Sequence, residues 1–195
     1  MGDILRLFLT VAIFGMLSGG LLSGVRGATQ DRIDFQQLKF VKGPVLLEIL
    51  EGAKNDPLSD RFTILHDREE VTCFVGVFED KKAVAMEGFG SGYGGSIGVM
   101  VAVNVENDQI VGIGVTTHSE TPGLGSRVKD DRSFARQFRG KSLKEPIKLR
   151  AEGGEVDALS GATVSSRGTA GGVQSVAEVY QRIKPQIVEK LEEKT

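Results

Sequence analysis

Apolar and polar residues alternate through the middle of the chain, and this alternation predicts a β-sheet. In residues 96–105 and 109–117, apolar side chains occupy mostly every second position, as a strand with one buried face requires. Two further strand-like segments, residues 71–78 and 81–86, flank a Glu-Asp pair that is suited to a turn. We therefore predict four strands that form two antiparallel hairpins in one sheet.

Helical spacing of apolar residues flanks the predicted sheet on both sides in the sequence. The helical segments are residues 35–53, residues 131–138 and the residues from about 166 to the C-terminus. Pro44 and Pro185 are expected to divide or kink the segments in which they lie. Residues 146–150 predict one more strand. The chain is therefore expected to adopt an α+β fold, with one domain that combines an antiparallel sheet with flanking helices.

The N-terminal part of the chain has a different pattern, because residues 7–25 contain no charged side chain. As a helix with a rise of about 1.5 Å per residue, this run would span roughly 28 Å, which is close to the thickness of the hydrocarbon core of a bilayer. We interpret residues 1–27 as a single transmembrane anchor in the lipid bilayer, residues 28–34 as a polar linker and residues 35–195 as the folded domain.

A cleavable signal peptide is the alternative interpretation of this apolar run, because small residues that a signal peptidase accepts lie at Gly27 and Ala28. The run is longer than the apolar region of a typical signal peptide, which has about 7–15 residues. Basic residues are more frequent after the run than before it, where Arg6 stands alone. This charge bias by itself would place the domain on the cytoplasmic side. The basic residues that follow are Arg26, Arg32, Lys39 and Lys42.

Composition and charge exclude several classes of function. The formal net charge is −2 and no basic stripe is interleaved with aromatic residues, so nucleic acid is not an expected partner. Cys73 is the only cysteine and lies in an apolar run, so it is expected to be an inert core residue. With two histidines and no suitably spaced carboxylates, no metal site is expected.

The segment of residues 157–166 carries the strongest indication of function, because it places hydroxyl groups and small side chains directly before a predicted helix. The start of a helix has unpaired N–H groups and the positive end of the helix dipole, which together can hold a phosphate. Gly161 and Ala162 would allow a phosphate to come close. The alternative is an ordinary helix cap, supplied by one of the hydroxyl groups of Ser160, Thr163 and Ser165.

Two other segments, residues 92–97 and 118–125, lie just before and just after the second predicted strand pair. A GxGxxG match at residues 90–95 precedes a strand and not a helix, so a dinucleotide-binding fold is not expected. A GxSxG match around Ser96 suggests a serine hydrolase, but the nucleophile of such enzymes lies on a strand-to-helix turn. A membrane-anchored serine hydrolase therefore stays a distant alternative, as does a non-redox binding module that uses the Ser-Gly-Ala-Thr segment only as a helix cap.

The three segments, in this order, resemble those of the FMN-binding domain family. Residues 157–163, Asp-Ala-Leu-Ser-Gly-Ala-Thr, are similar to the acceptor motif of covalent flavoproteins. Within the family, the chain looks most like the G subunit of Rnf electron-transport complexes, with the C subunit of the sodium-translocating NADH:quinone reductase as a close relative and alternative. The resemblance implies that Thr163 carries FMN through a phosphoester bond, after its hydroxyl attacks the pyrophosphate of FAD in a separate flavin transferase.

The resemblance also implies roles for other residues of the three segments. The residues that a flavin transferase would read, and that would then shape the phosphate site, are Asp157, Ser160, Gly161 and Ala162, with Ser165 in the following helix. Glu120 and Thr121 are the implied polar contacts of the flavin. The implied loop and stacking contacts are Pro122, Gly123, Leu124, Tyr93 and Gly94. No catalytic residue is implied, because the flavin carries the redox chemistry and the protein tunes it.

At the level of the whole protein, the resemblance implies an electron-carrier subunit of a complex that couples electron transfer between ferredoxin and NAD to ion translocation. Such a chain is a redox subunit and is not catalytic alone. Its implied partners are the other membrane subunits of the complex and, during maturation, the flavin transferase. The family is anchored by a single span in the inner (cytoplasmic) membrane with the flavin domain on the extracytoplasmic side, which is opposite to the side that the charge bias favours.

Overall fold

The computed structural model describes residues 2–67 and 69–193. These residues form two compact units that divide between Phe40 and Val41. Met1, at the start of the predicted anchor, and residues 194–195, at the end of the predicted domain, lie outside the described residues.

The first unit contains helix α1 (Gly2–Gln37), which is exposed along its apolar part. Residues 2–30 are long and apolar enough to cross a membrane, with a mean hydropathy of 1.9, and none of this stretch is buried inside the protein. Phe8 and Leu22, for example, are 69% and 72% exposed. The helix continues through residues 28–34, so the segment interpreted as a linker is itself helical.

Helical residues lead into the second unit, which then forms a sheet. A π-helix (Leu38–Lys42) precedes α2 (Gly43–Ile49), where Pro44 lies in the first turn and therefore removes no helical hydrogen bond. Within the described residues, five strands follow: β1 (Arg61–His66), β2 (Glu69–Val77), β3 (Lys82–Ser91), β4 (Ser96–Asn104) and β5 (Ile110–Thr117). The later elements are α3 (Arg127–Asp130), α4 (Arg132–Arg136), a 3-10 helix (Arg150–Glu152) and α5 (Thr163–Glu193).

The strands form one antiparallel sheet in the order β1-β2-β3-β4-β5. The two predicted hairpins, β2 with β3 and β4 with β5, are confirmed, and so is the α+β class. The alternation did not reveal β1, because this edge strand buries only Ile64 and exposes Leu65. A strand at the edge of a sheet needs few buried residues, and its pattern is correspondingly weak.

Helix α5 covers one face of the sheet and forms the main hydrophobic core with it. The apolar residues at alternate positions of β4, Val99, Val101 and Val103, are fully buried on this face. From α5, Val173 and Ile183 contribute to the same core. The sequence-predicted alternation in β4 therefore marks the side of the strand that faces α5.

Helix α2 covers part of the opposite face, where the sheet carries small residues. Leu46 and Ile49 of α2 are buried, and a Cβ added at Gly112 of β5 would lie 3.4 Å from Ile49. Met100 and Ala102, on the second face of β4, are also buried. The central strands are consequently covered on both faces. The loops at the ends of the strands are therefore the accessible part of the sheet.

Asp108 ties α5 to the turn between β4 and β5. Its buried carboxylate accepts hydrogen bonds from the Tyr180 hydroxyl at 2.8 Å and from Lys184, and it pairs with Lys144 at 3.0 Å. Burial alone would raise the pKa of Asp108, but the hydrogen bonds from Lys184, Lys144 and Tyr180 outweigh this effect and lower the pKa. The turn lies at the end of β4 that is remote from Ser96, and these contacts give the Asp108 carboxylate a structural role.

Two sequence predictions were wrong in detail. Residues 146–150 do not form a strand, and Leu149 makes only an isolated bridge with Val156 before the 3-10 helix. Helix α5 begins at Thr163 and not near residue 166, and it continues past Pro185 without a break. Pro185 is exposed, while Ile183 and Ile187 on either side of it are buried against the sheet, so packing holds the helix together despite the lost hydrogen bond.

Candidate functional site

Glu120 brings the three sequence segments together at one end of the sheet. It follows β5, it is only 5% exposed, and its Oε1 accepts a hydrogen bond from the Gly94 N–H at 2.8 Å. Its Oε2 accepts from the Tyr93 N–H at 3.3 Å and from the Ser165 hydroxyl in the first turn of α5. One carboxylate therefore connects the loop between β3 and β4, the loop after β5 and the start of α5.

The charge of Glu120 is stabilised by these contacts. Burial alone would raise the pKa of Glu120, but the hydrogen bonds donated by Ser165, Gly94 and Tyr93 outweigh it, with a smaller contribution from His118, so the pKa lies below its ordinary value. An ionised carboxylate only accepts hydrogen bonds, which matches the donors that surround it. Both oxygens of the side chain are thus engaged by the protein itself.

Glycines allow these segments to approach each other closely. A Cβ at Gly94 would overlap the carbonyl oxygen of Ser119, and a Cβ at Gly125 would lie 2.7 Å from the Ser165 hydroxyl. A larger side chain at Gly94 would therefore require a backbone shift, and one at Gly125 would displace the side chains of Ser165 and Glu120. Gly123, with φ of 73°, completes the tight turn predicted after Pro122.

The start of α5 leaves its first N–H groups open. Among the described residues, the N–H groups of Thr163, Val164 and Ser165 have no hydrogen-bond acceptor. The Ser166 hydroxyl accepts from the Leu159 N–H at 3.0 Å and donates to the backbone of the preceding turn. In this part of the chain, none of the three hydroxyl groups named by the helix-cap hypothesis accepts a first-turn N–H. Instead, the start of α5 has the geometry of an anion-binding site.

The loop before α5 is held by side chains that the sequence patterns did not identify. Asp157 forms a two-point ion pair with Arg150, with distances of 2.7 and 3.1 Å, although both side chains are exposed. The Gln137 amide exchanges two hydrogen bonds with the Asp157 backbone, at 2.7 and 3.2 Å. Arg127 donates from Nη1 to the Ser160 carbonyl at 3.2 Å. Gln137 and Arg127 are distant in sequence from this loop, so no local signal could have revealed them.

Exposed apolar side chains lie on all three segments around this site. Tyr93 is 77% exposed, Leu124 is 48% exposed and Val164 is 40% exposed. Leu124 packs close to Gly161, where a Cβ would lie 3.1 Å from its Cδ1 atom. A surface of this kind, next to a few fixed polar groups, suits a flat apolar ring. The residues present therefore fit a ligand that combines a phosphate with an aromatic ring system.

The remaining predicted residues lie on the surface of the same region or just beneath it. Thr121 and Pro122 are exposed, and the Thr121 carbonyl accepts from the N–H groups of Leu124 and Ser126 at 3.2 and 3.1 Å. The exposed residues of the α5 segment include Ser160 and Thr163, whereas Ala162 is buried. Glu120 thus joins the three segments that contain the predicted flavin-site residues, although the Asp157 side chain contacts Arg150.

Cys73 is a fully buried residue of the main hydrophobic core, as predicted. Burial raises the pKa of its thiol to about 12. Among residues 2–67 and 69–193, no group of three His, Cys, Asp or Glu side chains is placed to hold a metal ion.

Comparison with known proteins gives a consistent result. Residues 92–178 match the FMN-binding domain, a range that includes all three segments. The G subunit of the ion-translocating oxidoreductase complex of Shewanella oneidensis is 30% identical over 172 residues, which cover 82% of this chain and 81% of that protein. The corresponding G subunit of Cereibacter sphaeroides is 33% identical over 193 residues, covering 92% and 85%. The crystal structure of Shewanella oneidensis NqrC superposes with a TM-score of 0.54 at 27% identity, covering 71% of this chain and 72% of NqrC.

Proposed function

This chain belongs to the family of ion-translocating oxidoreductase complex G subunits, and we propose that it carries electrons on an FMN joined to Thr163. It is a flavin-binding redox subunit of an ion-translocating oxidoreductase complex. Bound FMN supplies the electron transfer, and the domain holds and tunes it. The subunit is not catalytic alone, because ion translocation requires the other membrane subunits.

The position of Thr163 is the observation that supports its assignment as the attachment site. Its side chain is exposed and begins α5, next to three N–H groups that have no acceptor among the described residues. Ser165 and Ser166 are buried and already hydrogen-bonded. Inside a flavin transferase, the Thr163 oxygen would form a bond to the FMN phosphorus of FAD. The pyrophosphate bond would break, AMP would leave, and the hydroxyl proton would pass to a base of the transferase or to water.

The remaining residues of the site have supporting roles in this proposal. Tyr93, Leu124 and Val164 provide apolar surface for the ring, and the backbone from Thr121 to Gly123 lies along it. Gly94 permits the close packing of the loops. Glu120 supports the site from below its surface by holding the three segments together, because its carboxylate is buried and both of its oxygens accept hydrogen bonds from the protein. Ser160, Gly161 and Ala162 shape the phosphate site, and Asp157 presents the outer side of the loop to the transferase.

We further propose that residues 1–27 anchor the chain in the inner membrane, that residues 28–34 form a helical connection, and that residues 35–195 form the flavin domain. We place this domain on the extracytoplasmic side. The basic residues after the span oppose this orientation, but large domains are translocated largely regardless of such charges. In the complex, the flavin would relay electrons between ferredoxin-side and NAD-side carriers held by partner subunits.

A second candidate function is that of the C subunit in a sodium-translocating NADH:quinone reductase. The likeness to NqrC, with a TM-score of 0.54, supports it. The two candidates predict different complexes, so purification of the tagged chain from its host membranes distinguishes them. Ferredoxin-dependent NAD reduction in the purified complex supports the Rnf-type assignment, and NADH-dependent quinone reduction supports the alternative.

Flavin attachment is tested directly by expression of the chain together with a flavin transferase. After denaturing electrophoresis the wild-type band should fluoresce as a flavin, and its intact mass should contain one FMN adduct. Thr163→Val should lose both signals, whereas Thr163→Ser retains a hydroxyl, and Thr63→Val, at an exposed threonine of β1 outside the site, serves as the matched control. An adduct that persists in Thr163→Val would contradict the attachment site. Protein from the native host without any flavin would contradict the function.

A further inference from the structure

We propose that Arg127 binds the phosphate of the flavin attached to Thr163, an inference that rests on the proposed function. Arg127 is the first residue of α3 and lies two positions after the loop of residues 118–125. Its Nη1 donates to the carbonyl oxygen of Ser160 at 3.2 Å, three positions before Thr163. This contact fixes the guanidinium beside the open start of α5.

The guanidinium retains unused hydrogen-bonding capacity at this position. Its other contact is with Asp131, one helical turn away, at the long distance of 3.6 Å, and the side chain is 42% exposed. Five N–H donors are available on a guanidinium, and the two contacts leave several of them without a partner. Arg127 can therefore hold the loop and still donate to a ligand.

Other cations near this segment are committed elsewhere. Arg150 is held by both carboxylate oxygens of Asp157, and Arg167 pairs with Glu152. Residues 158–166 contain no charged side chain. Among the described residues, Arg127 is thus the cation whose hydrogen bond reaches the loop leading to Thr163 and whose charge is only weakly paired.

A phosphodiester on Thr163 would carry one negative charge next to this guanidinium. The N–H groups at the start of α5 attract such a charge, and an arginine adds donors whose geometry matches phosphate oxygens. A lysine would keep the charge but lose the planar arrangement of donors. The structure therefore predicts a graded series at position 127, in which Arg is better than Lys and Lys is better than Gln.

The first measurement is the initial rate of flavin attachment to the full-length detergent-solubilised chain, with purified transferase, Mg²⁺ and FAD. Varying the acceptor concentration gives kcat and KM separately. Arg127→Gln should lower kcat/KM by about tenfold, in the range expected for a hydrogen bond to a charged group at a half-exposed site. Arg127→Lys should recover part of this loss. Arg132→Gln, an exposed arginine of α4, is the matched control and should behave like the wild type.

The second measurement separates phosphate binding from recognition by the transferase. The loaded proteins are compared by ³¹P NMR and by flavin absorbance. Arg127→Gln should move the phosphodiester resonance while the ring absorbance stays unchanged. The melting temperature of the unloaded chain should fall by no more than about 4 °C, as expected for the loss of one partly exposed hydrogen bond to the Ser160 carbonyl. A slower attachment with an unmoved resonance would assign Arg127 to the transferase interface and would overturn the proposal. An attachment rate within twofold of the wild type would also overturn it. Failure of the wild-type chain to accept flavin would instead remove the proposed function.

Discussion

Among the single residues of the site, Glu120 matters most, because its buried carboxylate joins the three segments. Glu120→Gln keeps the shape of the side chain but turns one acceptor oxygen into a donor, which must then face the backbone N–H of either Gly94 or Tyr93. The free energy of unfolding should fall by about 1–3 kcal/mol, the cost of an unsatisfied buried polar group. Urea denaturation of the unloaded chain measures it, with the exposed Glu106→Gln as a control that should change little.

The same substitution has a predictable pH dependence. The folded-state pKa of Glu120 lies below its unfolded value of about 4.3, so its ionic contribution is complete above that value and is lost as the pH falls through the folded-state pKa. The stability difference between the wild type and Glu120→Gln should therefore be constant near neutral pH and should shrink below about pH 4. A difference that grows on acidification would show that the carboxylate is not stabilised as the geometry indicates.

At the scale of elements, the contact between α5 and β3 depends on glycines on both sides. A Cβ at Gly90 would overlap the Gly168 carbonyl oxygen, and a Cβ at Gly168 would lie 2.7 Å from the Ser91 carbonyl oxygen. Gly168→Ala should destabilise the domain by roughly 1–3 kcal/mol, because two backbone segments must separate. Gly171, three positions further along α5, is exposed and has its nearest neighbour at 3.9 Å.

Gly171→Ala is the matched control for this contact, and it should stabilise the domain by up to about 1 kcal/mol through helix propensity alone. Thermal unfolding of both variants checks the prediction. The opposite signs are the informative result, since propensity acts equally at both positions and only the packing differs. A stabilised Gly168→Ala variant would mean that α5 does not approach β3 as closely as the structure has it.

The sequence predicted the elements that have a strong period and missed those that depend on distant contacts. The alternation in β4 and β5 located both strands, because one set of their side chains faces a continuous core. The edge strand β1 and the irregular residues 146–150 have no such pattern. The motifs identified the three segments of the site, but the partners Arg127 and Gln137 are tertiary contacts without a local signal. Helix α5 continues past Pro185 because it packs against the sheet, an effect that helix propensity does not describe.

In the molecule as a whole, two regions differ in how far their apolar side chains are buried. Residues 41–67 and 69–193 bury most of their apolar side chains between a sheet and two helices, whereas residues 2–30 leave theirs exposed. Such an exposed apolar helix is stable in a bilayer, where its backbone is fully hydrogen-bonded and its side chains meet lipid. The domain should consequently fold without the helix, and the helix should determine where the chain resides.

Removal of residues 1–34 should therefore yield a chain that stays in solution and melts at the temperature of the detergent-solubilised full-length domain. Full-length protein should stay with the membranes after alkaline carbonate washing. The intact mass of the mature protein decides between the two interpretations of the apolar run, since an anchor retains residues 1–27 and a signal peptide leaves a chain that begins at Ala28. Mature protein that begins at Ala28 and washes off the membrane would contradict the anchor, because no other apolar helix of sufficient length occurs within the described residues.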